Sequence, residues 1–325
     1  KNDNCDFEQN KGSFLCTKNK DNNKNDNNND NVNDNVNNNV NDNNNVISVE
    51  VDLDTNTNSN IVQKCLPTTV RPTTTIYYYP PKCPTNNSHI TIPNGTISID
   101  KRYSSCFQIT GLTLNNDGAL KTIDSQAFFA CINLKGTLTI PASVETIGTA
   151  AFYGCDLTTL MFDNSLTNPS MLNIIKEFAF AWMWKLSGTL TLPKSLVTIG
   201  YSAFYRCDAL TSIMFESGSN LQTIEKNAFS NCYNLETIEI PEKVTTIESS
   251  DIISKNYKIN KIILKGDNNL DDDSFKRLVD NIYYLSNGGD KSRKICIVGS
   301  GKRAEQVLKE LNKYTHLSVK FEKCT

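Results

Sequence analysis

Histidine is nearly missing from this 325-residue chain, which has only His89 and His316. Neither falls within the repeated segments described below, so no imidazole base is placed there beside a serine or cysteine nucleophile. With no paired carboxylates recurring either, the sequence points away from an enzyme. Charge of one sign is also lacking: 33 Lys and Arg face 35 Asp and Glu, for a formal net charge of −2. That leaves no basic footprint for nucleic acid or an anionic membrane surface. No apolar run approaches the ~20 residues needed to cross a bilayer, so no membrane span is expected. The chain starts with Lys1 rather than Met, as a processed or truncated product would. Cysteine, by contrast, is plentiful at 11, yet no C-x-x-C spacing occurs, so neither metal nor cofactor is expected.

What the chain does have is a returning phrase. TIDSQAFFAC ends at Cys131, TIGTAAFYGC at Cys155, TIGYSAFYRC at Cys207 and TIEKNAFSNC at Cys232, with a damaged copy from Ile174 to Met183. Phe128, Phe152, Phe180, Phe204 and Phe229 follow one another at 24, 28, 24 and 25 residues. A period of that length means stacked coils, each burying its apolar side against its neighbours. Between the phrases lie alternating segments such as LKGTLTI, LTTLMF and LSGTLTL, which read as one strand per coil. The step from Cys155 to Cys207 is 52 residues, as is that from Cys131 to Met183, so the repeat is a two-coil unit.

These residues resemble the BspA-like, treponemal-type leucine-rich repeats, whose pattern is L-x-x-I-x-[IL]-P-x-x-[VL]-x-x-I-G-x-x-A-F-x-x-C. The resemblance implies an α/β leucine-rich repeat solenoid with a curved parallel β-sheet. It also implies a non-enzymatic protein, secreted or on a cell surface, that works in adhesion or recognition of a protein ligand.

Four regions are expected. Residues 1–46 form an Asn/Asp-rich disordered arm, whose composition cannot offset the entropy of ordering it. Residues 47–89 form a Pro/Thr-rich linker with a strand-like ISVEVDL from Ile47. The repeats occupy 90–264, and 265–325 forms a βαβαβ-like C-terminal cap with strands at Ile262 to Leu264, Ile295 to Val298 and Leu317 to Phe321. The GSGKRA turn at Gly299, Gly301 and Ala304 imitates a dinucleotide fingerprint. The chain leaves no second half-sheet for a nucleotide crevice, and the cap reading is preferred. Asp271, Asp272 and Asp273 then cap and charge the start of a helix near Ser274.

The period-two rule turns Thr137, Thr139, Thr159, Met161, Thr189, Thr191, Ser212, Met214, Thr237 and Glu239 outward on the strand face. These are the first candidate contacts. A second set, the aromatic rim, comprises Tyr153, Trp182, Trp184, Tyr205 and Tyr233, either sealing the core or anchoring a ligand. A carbohydrate-binding module using these Trp and Tyr residues is the alternative function. Asn86 and Asn94 begin N-glycosylation sequons. Cys106, Cys131, Cys155, Cys207 and Cys232 share one repeat position and are expected to be buried free thiols. For an extracellular protein Cys5 with Cys16 and Cys65 with Cys83 are the natural disulfides.

Overall fold

A computed structural model describes residues 4–8, 13–17, 83–164, 167–267, 269–286, 294–299, 301–314 and 320–324. The chain divides into two units, Lys1–Lys82 and Cys83–Thr325. Within the arm expected to be disordered, β1 (Asn4–Glu8) and β2 (Ser13–Thr17) pair antiparallel, with Cys5 opposite Cys16. The Asn/Asp tract, the segment from Ile47 and Cys65 lie outside the described residues.

The second unit is the stack of coils. Each coil contributes a long strand followed by a two-residue strand. The pairs run β3 (Ser88–Ile92) and β4 (Ser98–Ile99), β5 (Ile109–Leu114) and β6 (Thr122–Ile123), β7 (Lys135–Ile140) and β8 (Thr146–Ile147), β9 (Asp156–Phe162) and β10 (Ile174–Ile175). They continue through β11 (Gly188–Leu192) and β12 (Thr198–Ile199), β13 (Leu210–Phe215) and β14 (Thr223–Ile224), β15 (Thr237–Ile240) and β16 (Thr246–Ile247). Among the described residues the first long strand of the stack begins at Ser88, two residues before the expected boundary. The short strands pair in parallel as one seven-stranded ladder from β4 to β16. Sequence reading expected the long strand of each coil; the Thr-Ile dipeptide proves to be a second one. The damaged copy keeps the ladder intact, since Ile174 and Ile175 pair with both Thr146–Ile147 and Thr198–Ile199.

The two-coil unit has a structural cause. Long strands pair two by two as β3-β5 and β7-β9, and the next set opens with β11-β13. In each pair the second strand holds one extra residue, Thr110, Thr158 or Thr211, opposite the step of the first strand from Ser88 to His89, Gly136 to Thr137 or Gly188 to Thr189. Gly136 and Gly188 sit at φ +81° and +77°, a left-handed backbone that suits glycine because it has no Cβ to collide. A bulged strand thus alternates with a plain one, and the 52-residue period is that alternation.

Behind the strands the phenylalanines form a column. Tyr103, Phe128, Phe152, Phe180, Phe204 and Phe229 stack with centroids 5.2, 5.2, 5.5, 5.3 and 5.6 Å apart. Such pairs contribute about 0.5–1.5 kcal/mol each beyond their burial. Alternate N–H groups of the same segment donate to the next coil: Phe128 to Ala151, Phe152 to Ala179, Phe180 to Ala203 and Phe204 to Ala228. The residue two after each Phe is left-handed throughout, from Ala130 and Gly154 through Trp182, Arg206 and Asn231. For non-glycine residues that conformation costs roughly 1–2 kcal/mol. Bonds such as Trp182 N–H to Tyr205 O at 2.7 Å offset it.

The cysteines are partly as expected. Cys131, Cys155, Cys207 and Cys232 are buried and free. Cys106 is not a free thiol: it is bonded to Cys83, which therefore does not pair with Cys65. The reason is the repeat itself, since a separation of 23 residues is one coil and brings the two Cα atoms to 5.2 Å. A further bond joins Cys296 to Cys324 on adjacent strands of the cap.

The C-terminal region extends the sheet in the order β17 (Lys261–Leu264), β18 (Lys294–Val298), β19 (Lys320–Cys324), all parallel. Positions 317–319 of the last expected strand lie outside the described residues. Helices α1 (Asp272–Ser286) and α2 (Lys302–Leu311) connect them. Three side chains of α1 meet the open backbone of the final coil. Ser274 Oγ accepts from Ile247 N–H at 2.9 Å, Arg277 donates to Ile247 O at 3.0 Å, and Asn281 bonds Ser249 O and Ile253 N–H. Spacings of three and four put these residues on one helix face. They satisfy an edge that would otherwise be left unpaired.

The glycine turn of the cap is accounted for by packing. A Cβ on Gly299 would lie 2.8 Å from Leu264 O, and one on Gly301 2.4 Å from Gly266 O. Asp267 Oδ1 accepts the Lys302 N–H at 2.7 Å, so a carboxylate of the chain itself sits at the α2 N-terminus where a phosphate would go. Asp271 caps α1 through Ser274 N–H at 2.6 Å, which holds its carboxyl below the ordinary aspartate value.

Candidate strand face and aromatic rim

The strand face is open in the middle of the stack and closes toward the C-terminus. Thr137 lies opposite Thr159 and Thr139 opposite Met161; Thr189 lies opposite Ser212 and Thr191 opposite Met214. Thr137, Thr139, Thr159, Thr189 and Thr191 are exposed, as is Met161 at 53%. Ser212, Met214 and Thr237 are half-buried. Glu239 corrects the expectation: it is buried at 3%. Ile263 is its partner on the next strand, and the Lys265 ammonium stands 3.6 Å from its carboxylate. Burial nonetheless raises its pKa above the glutamate value of 4.5, against the opposing pull of Lys265.

The inserted segment of the irregular coil borders this face. Asn164 donates to Glu216 Oε1 at 2.6 Å, two coils on, and its Oδ1 accepts from Ser170 N–H at 2.9 Å. Asn116 bonds Asp163 from the other side. The insertion is therefore tied down at both ends beside the gap between β9 and β11.

The aromatic rim separates into three columns. Tyr153 and Tyr205, directly after the Phe column, are half-buried; Tyr153 stacks on Phe129 at 5.1 Å and Tyr205 tilts against Trp182 at 6.1 Å. Trp182 occupies the left-handed column with Arg206, whose guanidinium lies 4.7 Å from the Trp182 centroid and 5.2 Å from that of Tyr233. Arg206 also bonds Asp208 at 3.2 Å, which raises its pKa. Trp182 is thus part of a cation–π stack. Trp184 is different: it is 54% exposed.

Trp184 belongs to a row that sequence reading did not assemble. The residue following the cysteine slot is Phe107, Ile132, Asp156, Trp184, Asp208, Tyr233 and Tyr257 in successive coils. Each large apolar member is exposed, between 39% for Tyr233 and 54% for Trp184. The two Asp members pair with Lys185 and Arg206. The signal was available in the alignment of repeats, but it is visible only when that one column is read down.

The cysteine column offers no reactive group. Burial pushes Cys131 up to about 11 and Cys232 to about 12, and holds Cys155 and Cys207 well above the ordinary thiol value. Thiolate, the reactive form, is suppressed accordingly. Among the described residues no three His, Cys, Asp or Glu side chains converge as a metal site, and no helix is long and apolar enough to cross a membrane.

Known proteins carry the same repeat pattern. The BspA type Leucine rich repeat region family matches residues 67–168 and 164–280 in six copies. Among solved structures, a leucine rich repeat protein of T. pallidum is 24% identical over 48% of this chain and 58% of its own, with a TM-score of 0.33. A leucine rich cell surface protein of Faecalibacterium prausnitzii is 23% identical over 54% and 59%, with a TM-score of 0.28. The pneumococcal vaccine antigen PcpA is 18% identical over 73% and 68%, with a TM-score of 0.35. The chain spans less than two thirds of the first two. No curated protein matches it. With the family pattern running through well over half of its length, the chain belongs to the BspA type leucine rich repeat proteins.

Proposed function

We propose that the protein is displayed on a cell surface or secreted, and binds a protein ligand along the exposed row and the open part of the strand face. The observation that carries this reading is the row itself. Exposed large side chains at one position in five of seven coils, Phe107, Ile132, Trp184, Tyr233 and Tyr257, lie in register, with Asp156 and Asp208 between them. Aromatic anchors beside small polar contacts such as Thr137, Thr139, Thr189 and Thr191 are typical of recognition surfaces. The disulfides Cys83–Cys106 and Cys296–Cys324 suit an oxidising, extracellular setting. The carbohydrate reading has less support, because Arg206 lies over rings of Trp182 and Tyr233 that a sugar would stack on.

The test compares two tryptophans. The immobilised full chain is probed with a panel of purified cell-surface and matrix proteins. Trp184→Ala should weaken the interaction at least tenfold while leaving the unfolding midpoint unchanged, as expected for an exposed side chain. Trp182→Ala should lower stability by about 1–2 kcal/mol by dismantling the Arg206 stack. Binding by Trp184→Ala at wild-type strength would sink the proposal, as would binding only to glycans.

A further inference from the structure

The exposed row has a spacing as well as a composition. Cys106 stands in the slot directly before Phe107, and its Cα lies 5.2 Å from that of Cys83, one coil earlier. The phenylalanine column steps by 5.2 to 5.6 Å. A ligand that follows the row side chain by side chain must share that step.

Few peptide conformations do. An α-helix lying along the row returns a side chain to the same face once per turn, about every 5.4 Å. An extended strand does so about every 6.6 Å and a polyproline helix about every 9.3 Å. Over the six steps from Phe107 to Tyr257 a strand slips by about one coil or more, whereas a helix stays within roughly 1 Å of register. The large apolar members meet turns one, two, four, six and seven of such a helix. Turns three and five meet Asp156 and Asp208, which are already held by Lys185 and Arg206.

Charge selects the kind of helix. Counting in each coil the row residue, the residue before the cysteine slot and the residue after the row, the charged side chains are Lys185, Arg206, Lys255 and Lys258 against Asp156 and Asp208. Four cations against two carboxylates give the strip a net charge of +2, on a chain whose formal charge is −2. Both carboxylates are half-buried and paired, whereas Lys185, Lys255 and Lys258 are exposed. The strip is cationic toward its Tyr257 end.

We propose that the exposed row docks an acidic amphipathic α-helix of a partner protein, about 22 residues long. Its apolar stripe lies against Phe107, Ile132, Trp184, Tyr233 and Tyr257, and its carboxylates lie over Lys255 and Lys258. The proposal rests on the row being the recognition surface, and adds the shape and charge of what is recognised. The aromatic side chains anchor the stripe. The lysines, open to water, attract and orient the helix, and their pull weakens as salt rises.

The full chain is titrated into four labelled peptides of equal length. One is a helix former with a leucine stripe flanked by Glu, the second carries Lys in place of Glu, the third scrambles the first to break the stripe, and the fourth adds two central prolines that forbid a helix. Fluorescence anisotropy reads affinity and circular dichroism reads peptide helicity. The Glu helix should bind at least about tenfold more tightly than the other three, gain helicity on the protein and weaken with salt. Trp184→Ala should cost about tenfold. The Lys255→Glu, Lys258→Glu variant should reverse the choice and favour the Lys peptide, a gain that a misfolded protein would not show. Equal binding of the scrambled or proline peptide would overturn the proposal, as would a charge-reversed variant that still prefers Glu. A panel protein held through Trp184 while the Glu helix goes unbound would overturn the helix and leave the recognition surface standing. If Trp184→Ala alters neither, both readings fail.

Discussion

The side-chain amide of Asn256 donates to the carbonyl of Phe229 at 2.8 Å, in the place where four earlier coils use a cysteine thiol. Cys131 donates to Tyr103 O at 3.0 Å, and Cys155, Cys207 and Cys232 donate to Phe128, Phe180 and Phe204 O at 3.2 Å. The repeated cysteine is thus a small core residue that also satisfies the coil before it. Asn256 is the stronger donor, yet its Oδ1 is buried with no partner among the described residues. Asn256→Ala should cost about 1–3 kcal/mol by leaving the Phe229 carbonyl with one partner fewer. Asn256→Cys should change stability by less than about 1 kcal/mol, since it trades a good hydrogen bond for relief of the orphaned oxygen. Urea midpoints of the two variants check both; equal losses would show that the donor is irrelevant.

Glycines at two repeat positions should respond differently to alanine. Gly136 and Gly188 have no atom within 4 Å of a built Cβ, so only their positive φ resists substitution. A change to alanine should cost roughly 1–2 kcal/mol at either site. At Gly200 the Cβ would stand 2.8 Å from the Lys176 carbonyl carbon, and at Gly148 2.4 Å from the Ser125 nitrogen. There the coils themselves must separate, and Gly200→Ala should exceed the cost of Gly188→Ala in the same denaturation assay.

Much of this was legible in the sequence because the repeat writes the same constraint several times. Phe128, Phe152, Phe180, Phe204 and Phe229 announced both the core and its period. What escaped was set by single contacts between coils. That Cys83 is one coil before Cys106 follows from the register only once Ser88 is known to start a strand. Glu239 occupied an outward position by alternation, but closure of the face around Ile263 and Lys265 buried it. Phe107, Ile132 and Tyr257 share their column with Asp156 and Asp208, so no unbroken apolar repeat marks it in the sequence.

Glu239 makes stability depend on pH in an unusual direction. Its folded pKa is raised, first by burial, so the folded state holds the proton more tightly than the unfolded one. Stability is then greatest below the unfolded value, near 4.5, and is lost as pH rises through the folded pKa. Glu225 acts in the same sense, raised by burial and by Glu248 and Glu177. Asp271 works oppositely: its lowered pKa contributes stability above the ordinary value near 3.8 that is lost on acidification. Glu239→Gln should flatten the stability profile above pH 4.5. Asp271→Asn should weaken its acid limb without removing the Glu239 slope. Denaturant unfolding across pH measures both, and an unchanged slope in Glu239→Gln would contradict the assignment.

The cysteines should sort into two chemical classes under one reagent. Cys131, Cys155, Cys207 and Cys232 are buried with raised pKa values, so neither access nor thiolate is available in the native state. Iodoacetamide should leave their peptides unmodified on the folded protein and alkylate all four once the chain is unfolded without reductant. Cys83, Cys106, Cys296 and Cys324 should resist under both conditions and react only after reduction. Their loops of 23 and 28 residues imply that each bond contributes about 3–4 kcal/mol through the unfolded chain. Reduction should accordingly lower the unfolding midpoint, and a Cys106→Ala, Cys83→Ala variant should reproduce the share due to the first coil. Alkylation of Cys106 without reductant would show that the first coil is held by packing alone, and would remove the link between that coil and an oxidising compartment.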